Sequence, residues 1–349
     1  METNIINTIN TIDTINTIDT TNTINTTNTT IPKIFHFINL GPREFSLMHF
    51  LSIISAYETN KPDIIYLYCD HDQIDSFYWE ILKDIITIEK VYNTEFHKGI
   101  HLDSYQYRAD ILRLEKLLER GGIYMDLDII SIKSLEQFLN NNLVMGAEAA
   151  DDPNETDIDK INSITNAVIM AQPNNDFLQH WYDQMAENLV DKPWAYHAVC
   201  LPKIMLATKQ FDVNIQPKKI FMPFCFRDTF MLEDNDFARS KEYLLNETHT
   251  VHMWETIWKH GWLDFDIEYF NTKNNLFVKY FGKYIDVLYN NIDKLETIMD
   301  SCYDKQNYAK LLTYSNMHLA LCSRYSRQPD IKIMAYNNTA IMHCIQATQ

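Results

Sequence analysis

The 349-residue sequence contains only 7 glycines and 10 prolines, and its six cysteines are far apart. So few glycines and prolines favour a chain built mostly from helices and strands rather than long loops. No cysteines form a CxxC pair, which excludes a zinc knuckle and a thioredoxin-type redox motif. We therefore expect free thiols in a reducing compartment.

Positive charge is also scarce: 30 Lys and Arg stand against 47 Asp and Glu, for a formal net charge of −17. This balance argues against nucleic acid as a partner, because binding a phosphate backbone needs clustered lysine and arginine. An acidic protein can still bind a nucleotide diphosphate when a divalent cation bridges its carboxylates and the phosphates.

Membrane spans, targeting segments and several common catalytic motifs are missing as well. No stretch approaches the roughly 18 consecutive apolar residues of a membrane span, and the N-terminus lacks the layout of a signal peptide. No P-loop, GxGxxG or GxSxG motif occurs, which excludes the common phosphate-cradle and serine-hydrolase sites. These absences predict a soluble cytoplasmic protein without a transmembrane segment.

The sequence divides into three parts. Residues 1–30 repeat Asn-Thr-Ile and Asp-Thr-Ile units and are predicted to be disordered. Residues 31–265 alternate strand and helix patterns, which predicts an α/β fold with a doubly wound, mainly parallel sheet. Residues 266–349 have a helical pattern and are predicted to form a helical C-terminal extension.

Several elements have clear predicted boundaries. Predicted strands cover 33–39, 63–69, 85–91, 123–126, 163–171 and 250–254, and predicted helices cover 44–57, 75–83, 103–120 and 175–188. The helix over 103–120 is the clearest, because Ile111, Leu114 and Leu118 share one face and Gly121-Gly122 ends it.

Two carboxylates, Asp126 and Asp128, follow a predicted strand directly and precede Ile129-Ile130. In an extended segment, residues two apart lie on the same side of the chain, so both can reach one cation. Mn²⁺ and Mg²⁺ prefer oxygen ligands, and a diphosphate supplies further oxygens. Charges among apolar residues are costly unless paired or metal-bound, so this context favours a metal site over an acidic turn.

Asp110 and Arg113 lie three residues apart on the preceding helix and therefore share a face. One interpretation is a surface ion pair worth under about 1 kcal/mol. The other is a carboxylate and a guanidinium that hold sugar hydroxyls beside the metal. Spacing alone favours the surface ion pair.

The segment from Tyr107 to Asp128, YRADILRLEKLLERGGIYMDLD, resembles the signature of the DxD sugar-transferase family (glycosyltransferase family 32-like). That family groups fungal initiating mannosyltransferases, bacterial capsular polysaccharide sugar transferases and, distantly, the glucosyltransferase domains of clostridial toxins. Its pattern is an Ala/Ser-Asp-x-x-Arg helix, a Gly-Gly-x-Tyr segment and Asp-x-Asp. Each of these positions is filled here.

The first predicted strand also resembles that family. In relatives, the end of this strand lies against the base and ribose of the nucleotide. The resemblance therefore places Phe37, Ile38 and Asn39 at the donor. Asn39 stands where the family usually has Trp.

Two later segments resemble the family as well. ITNAVIM, residues 164–170, is similar to a strand that places Asn166 near the donor sugar, although an Asn capping a loop explains it equally well. In HMWETIW, residues 252–258, the resemblance implies that His252 closes the metal shell and Trp258 closes over the nucleotide. Ile257 replaces the family's Ser. From pattern alone, His252 is equally well a core histidine.

The resemblance covers residues 31 to 262 and implies a GT-A type, Rossmann-like mixed sheet with flanking helices. It implies a retaining hexosyltransferase that uses Mn²⁺ or Mg²⁺ and a UDP-sugar or GDP-mannose, with a glycan or protein acceptor, as in polysaccharide biosynthesis. For Tyr124, a core aromatic and a ring stacked on the donor are equally good interpretations. The residues it implies are Asp110, Arg113, Asp126 and Asp128 for catalysis, Asp126, Asp128 and His252 for the metal, and Phe37, Ile38, Asn39, Asp110, Arg113, Tyr124, Asp126, Leu127, Asn166 and Trp258 for the donor.

Two other function classes compete with this hypothesis. Asn39 and Ile257 favour a catalytically weakened nucleotide-sugar-binding protein. A haloacid-dehalogenase-like phosphatase with Asp126 as nucleophile would need Thr two residues past Asp128, where Ile130 stands. The sequence therefore predicts a metal-dependent glycosyltransferase first and a non-catalytic nucleotide-sugar-binding protein second.

Removing residues 1–30 is expected to leave the melting temperature and any sugar transfer unchanged, because a low-complexity polar tract cannot pack against a core. Calorimetry and activity assays of the truncated and full chains would check this. A fall of several degrees in melting temperature would contradict it.

Overall fold

The computed structural model describes residues 30–42, 45–71, 76–92, 94–189, 192–193, 195–228, 230–232, 242–255, 257 and 266–348. Residues 1–29, which hold nearly all of the tract predicted to be disordered, lie outside this set. The strands are β1 Ile34–Asn39, β2 Ile64–Cys69, β3 Thr87–Lys90, β4 Phe96–His97, β5 Ile100–His101, β6 Gly122–Met125, β7 Ile129–Ser131, β8 Leu143–Ala149, β9 Ser163–Ala171, β10 Asn214–Gln216 and β11 Thr250–His252.

The helices alternate with the strands in the first part of the chain and then follow one another. The α-helices are α1 Leu47–Asn60, α2 Phe77–Leu82, α3 Tyr105–Arg120, α4 Asp176–Met185, α5 Leu201–Thr208, α6 Lys218–Phe221, α7 Glu242–Glu247, α8 Ile267–Thr272, α9 Leu276–Phe281, α10 Ile285–Tyr289, α11 Ile292–Asp304, α12 Tyr308–Arg324 and α13 Ile331–Ala347. Short 3-10 turns cover Glu136–Phe138, Ala186–Asn188, Phe230–Leu232 and Gly282–Tyr284, and a π-helical turn covers Tyr196–Cys200.

Seven strands form one mixed sheet in the order β10-β8-β9-β6-β1-β2-β3. Neighbouring strands are parallel except at β9, which runs antiparallel to both β6 and β8. This α/β architecture, with flanking helices and a helical C-terminal region, confirms the predicted fold class. The division of the chain at residue 265 stays a prediction.

Alternating side chains of the central strands face two separate apolar clusters. Ile123 and Met125 of β6 pack with α1 and the C-terminal helices, whereas Tyr124 faces the cluster formed with α3 and α4. Because side chains alternate along a strand, residues 124 and 126 share a side. Asp126 therefore follows β6 on the side covered by α3, which is the helix that carries Arg113.

A side-chain cap explains why the first helix begins later than predicted. The helix predicted over 44–57 begins at Leu47, because the Ser46 hydroxyl accepts a hydrogen bond from the backbone N–H of His49 at 3.2 Å. The sequence did not predict β4, β5, β7, β8 or β10. All six cysteines are free. None of the helices in the described ranges is long and apolar enough to cross a bilayer.

Gly122 supplies a backbone conformation and a close approach that other residues tolerate poorly. Its φ is +107°, and an added Cβ would meet the carbonyl oxygen of Ile34 and lie 2.9 Å from His36 Nε2. Gly122→Ala is therefore expected to lower the free energy of unfolding by about 2–4 kcal/mol. Urea denaturation would measure this loss.

Gly99→Ala is the matched control for this variant. Gly99 also has a positive φ, +82°, but nothing lies within 4 Å of its added Cβ. It should lose only about 1 kcal/mol from backbone strain. Equal losses for the two variants would show that the close approach at Gly122 contributes nothing.

Candidate active site

Asp126 and Asp128 occupy a tight turn between β6, in the middle of the sheet, and β7. The backbone N–H of Asp126 donates to the carbonyl of Ala167 at 3.0 Å, and the N–H of Ile129 donates to the carbonyl of Asp126 at 3.0 Å. These backbone bonds fix the turn at the carboxyl end of β6. Ligand sites of open α/β sheets occur at this edge.

The pairing of β7 with β11 brings His252 to Asp128. His252 lies opposite Ile129 in this antiparallel pair, and the N–H of Met253 donates to the carbonyl of Asp128 at 2.9 Å. His252 Nε2 lies 3.2 Å from Asp128 Oδ1, and the N–H of Glu255 donates to Asp128 Oδ2 at 2.8 Å. The short strand predicted over 250–254 thus ends at His252.

One ligand atom each from Asp126, Asp128 and His252 can be chosen so that all three lie within 4.8 Å of one another. Burial raises the pKa of Asp126, Arg113 opposes this rise, and the nearby charge of Asp128 adds to it. Burial alone would raise the pKa of Asp128, but the charge and hydrogen bond of His252 and the N–H of Glu255 lower it overall. The site therefore contains two carboxyl groups whose pKa values are shifted in opposite directions, next to one imidazole.

The carboxylates in turn change the pKa of the His252 imidazole. Burial alone would lower its pKa, but Asp128, followed by Asp126 and Glu148, raises it overall. Its other ring nitrogen, Nδ1, is buried and has no hydrogen-bond partner among the described residues. The nearby carboxylates therefore favour the charged form of the imidazole, against the effect of its burial.

Arg113 connects α3 to the turn that holds Asp126, Leu127 and Asp128, called the DXD turn below. Its Nη2 lies 2.8 Å from Asp110 Oδ1, and its Nη1 lies 3.2 Å from Asp126 Oδ1. Nη1 also donates to the carbonyl of Asn166 at 2.6 Å. Arg113 and Asp110 are only 5% and 7% exposed, so the surface-pair interpretation of their spacing is wrong. A buried guanidinium instead bridges two carboxylates.

Asn166 and Tyr124 complete this network. Asn166 Nδ2 donates to Asp110 Oδ1 at 2.8 Å, and it lies where the pairing of β8 with β9 is irregular. The Tyr124 hydroxyl donates to Asp126 Oδ1. The Tyr124 ring is buried, and the Arg113 guanidinium lies 4.4 Å from its centre. Tyr124 is thus a core aromatic whose hydroxyl reaches the site.

The remaining donor-binding candidates lie around the end of β1 or outside the described residues. Phe37 and Ile38 are buried in the two clusters on opposite faces of the sheet, and Asn39 is fully buried at the end of β1. Leu127 is buried within the DXD turn. Trp258 lies outside the described residues.

Sequence reasoning missed two residues beside the network. His197, in the π-helical turn, donates from Nε2 to Asp110 Oδ2 at 2.8 Å, and no motif indicated it. Glu148 occupies a bulge of β8, between the pairs that Ala147 and Ala149 form with β9. Burial raises its pKa, against a hydrogen bond from Ser163 and the charge of His252. A lone glutamate in an apolar run could have signalled it.

Comparison with known proteins matches the part of the chain that carries α3 and the two aspartates of this network. Residues 49–146 match the family described as "Glycosyltransferase sugar-binding region containing DXD motif". Over 213 residues, the chain is 28% identical to Glucan organizing enzyme 1 of Cryptococcus neoformans var. grubii, covering 60% of this chain and 56% of that protein. The chain thus spans a little over half the length of this curated relative.

Solved glycosyltransferases also resemble the chain at low identity. A structure titled PaToxG Glycosyltransferase is 19% identical, with a TM-score of 0.39, covering 50% of this chain and 67% of that one. The galactosyltransferase LgtC, solved with donor and acceptor sugar analogs, is 13% identical, with a TM-score of 0.37, covering 63% and 86%. The family match includes Asp110, Arg113, Asp126 and Asp128, so the segment that carries these four residues is similar to the sugar-binding region of DXD-motif glycosyltransferases.

Proposed function

We propose that the chain transfers a sugar from a nucleotide-diphosphate-sugar donor to a glycan or protein acceptor, with a divalent cation held by Asp126, Asp128 and His252. The observation that carries this proposal is the convergence of these three ligand atoms within 4.8 Å, beside a buried Arg113 bridge. The family match supports the reaction class, and the geometry supports the residues that we assign to its roles.

The three side chains fit a divalent cation in charge and in donor type. Two carboxylates and an imidazole offer oxygen and nitrogen donors, a set that suits Mn²⁺ better than Mg²⁺. The position of the imidazole supports this fit, because His252 Nε2 lies 3.2 Å from Asp128 Oδ1. When bound, a cation at this position would neutralise charge on the departing diphosphate.

The protein's own residues would hold the donor and exclude alternative geometries. Asp126 and Asp128 stand on a turn fixed by backbone hydrogen bonds, so their carboxylates need little rearrangement. Arg113 and Asn166 lie beside them, where the donor sugar is expected from the family resemblance. Positioning of this kind can supply much of the rate of a transfer reaction.

We further infer that the transfer retains the anomeric configuration and that the acceptor is a polysaccharide. Retention comes from the family resemblance alone. The acceptor class is suggested by the relative whose name refers to glucan organization. A glucan-type acceptor is therefore the first class to test, followed by protein acceptors.

A donor screen tests the proposed function directly. We expect the full chain with Mn²⁺ to release UDP or GDP from one nucleotide sugar, and more rapidly with a matching glycan acceptor. Chromatography of the nucleotide and NMR of the product linkage would measure both. Nucleotide-sugar binding without any release of UDP or GDP would instead support the hypothesis of a non-catalytic nucleotide-sugar-binding protein. A chain that neither binds nor cleaves any nucleotide sugar would refute both functions.

The metal assignment makes a separate prediction. Asp128→Asn keeps the size of the side chain and removes its charge, so Mn²⁺ affinity should fall by more than the roughly tenfold to hundredfold that loss of a hydrogen-bond partner of a metal ligand costs. Electron paramagnetic resonance titration would measure this without any turnover. The control is Asp103→Asn, because the Asp103 side chain is 89% exposed. Equal Mn²⁺ affinity of the two variants would contradict the metal assignment.

A further inference from the structure

We propose that His197 is a positioning residue for sugar transfer, which holds the carboxylate of Asp110 and, through it, Arg113 and Asp126. This inference rests on the proposed function. It assigns a role to a π-helical turn far along the chain from the family's matched region.

Asp110 receives one donor on one carboxylate oxygen and two donors on the other. Arg113 Nη2 and Asn166 Nδ2 contact Oδ1, each at 2.8 Å, whereas His197 Nε2 contacts Oδ2 at 2.8 Å. The terminal torsion of a carboxylate is soft. Donors on one oxygen therefore leave the carboxylate plane poorly fixed, and the contact from His197 at the other oxygen fixes it.

His197 is itself held from two sides. Its carbonyl accepts a hydrogen bond from Trp181 Nε1 of α4 at 2.8 Å, and its ring meets the edge of Tyr107 of α3 at 4.9 Å between centres. The turn begins after Ala195, whose φ of +62° is rare for a residue with a side chain. Its π-helical conformation is also rare and occurs frequently at functional sites.

The contact of His197 differs from that of an ordinary core histidine because its partner, Asp110, also contacts Arg113. Asp110 leads to Arg113, and Arg113 Nη1 lies 3.2 Å from Asp126 Oδ1. Rotation of the Asp110 carboxylate would shift the guanidinium and therefore the Asp126 carboxylate that it contacts. A displacement of about 1 Å at such a site can reduce turnover about a hundredfold.

Two substitutions separate the hydrogen bond from the packing of the ring. His197→Phe keeps an aromatic ring against Tyr107 but removes the N–H, and His197→Gln places an amide N–H near the position of Nε2. We expect His197→Phe to lower kcat about tenfold to a hundredfold, and His197→Gln to recover most of it. The affinity for UDP or GDP should change little, because the contacts of His197 go to Asp110, Trp181 and Tyr107 rather than to the end of β1. The affinity for Mn²⁺ should fall together with kcat, because Asp126 belongs to the proposed ligand set.

The chain offers a matched control in His318 of α12. His318 is 1% exposed, against 2% for His197, and its Nε2 lies 2.9 Å from a carboxylate oxygen of Glu296. His318→Phe therefore removes a histidine–carboxylate contact from the C-terminal helices, where the Glu296 side chain is 33% exposed, against 10% for Asp110. It should lower the melting temperature while leaving kcat unchanged.

Several outcomes would overturn the inference. One is a wild-type kcat in the His197→Phe protein, and another is a parallel loss of kcat and nucleotide affinity that His197→Gln does not recover. If the Phe variant does not fold, His197→Asn replaces it as the variant without the contact. The shorter Asn side chain places its amide near the position of Nδ1, whereas the contact with Asp110 is made by Nε2. Equal kcat values for the Asn and Gln variants would then overturn the inference.

The same assay distinguishes failure of this inference from failure of the proposed function. No turnover by the wild-type chain with any donor would refute the proposed function and the role of His197 with it. If the wild type turns over and the His197→Phe protein has the same kcat, only the role of His197 is refuted.

Discussion

The site depends first on a buried guanidinium. Arg113 has lost nearly all contact with water, and its pKa is held above its ordinary value because Asp126, Tyr124 and Asp110 outweigh the cost of burial. Removing one partner from such a buried group costs about 3–5 kcal/mol, because the other charge stays buried without compensation. α3, β9 and the DXD turn are thus tied together by one side chain.

The second constraint is the pairing of β7 with β11, two strands of three residues each. Their register sets Ile129 opposite His252 and so carries the imidazole to Asp128. Neither strand joins the main sheet. A short pairing outside the main sheet therefore decides whether the two carboxylates meet a third ligand.

The sequence predicted elements with strong periodicity and missed those whose geometry is irregular. β9 has the predicted boundaries of 163–171, and α3 begins two residues after its predicted start. β8 was missed, since GAEA resembles neither an alternating nor a continuous apolar strand and forms a bulge. The spacing of Asp110 and Arg113 predicted that they share a helix face but could not show that they are buried. No local pattern predicts the contact of His197 with Asp110, because the two residues are 87 positions apart.

The two halves of the site differ in how completely their polar groups are satisfied. On the α3 side, Asp110 accepts from three donors, and Arg113 contacts two carboxylates and two carbonyls. On the β11 side, two carboxylates face one imidazole whose Nδ1 has no hydrogen-bond partner within the described part of the chain. A fully satisfied network holds its shape without a ligand, whereas unbalanced charge favours binding of a counter-ion. The α3 side is therefore suited to positioning, and the DXD turn with His252 is where we expect ligand to bind.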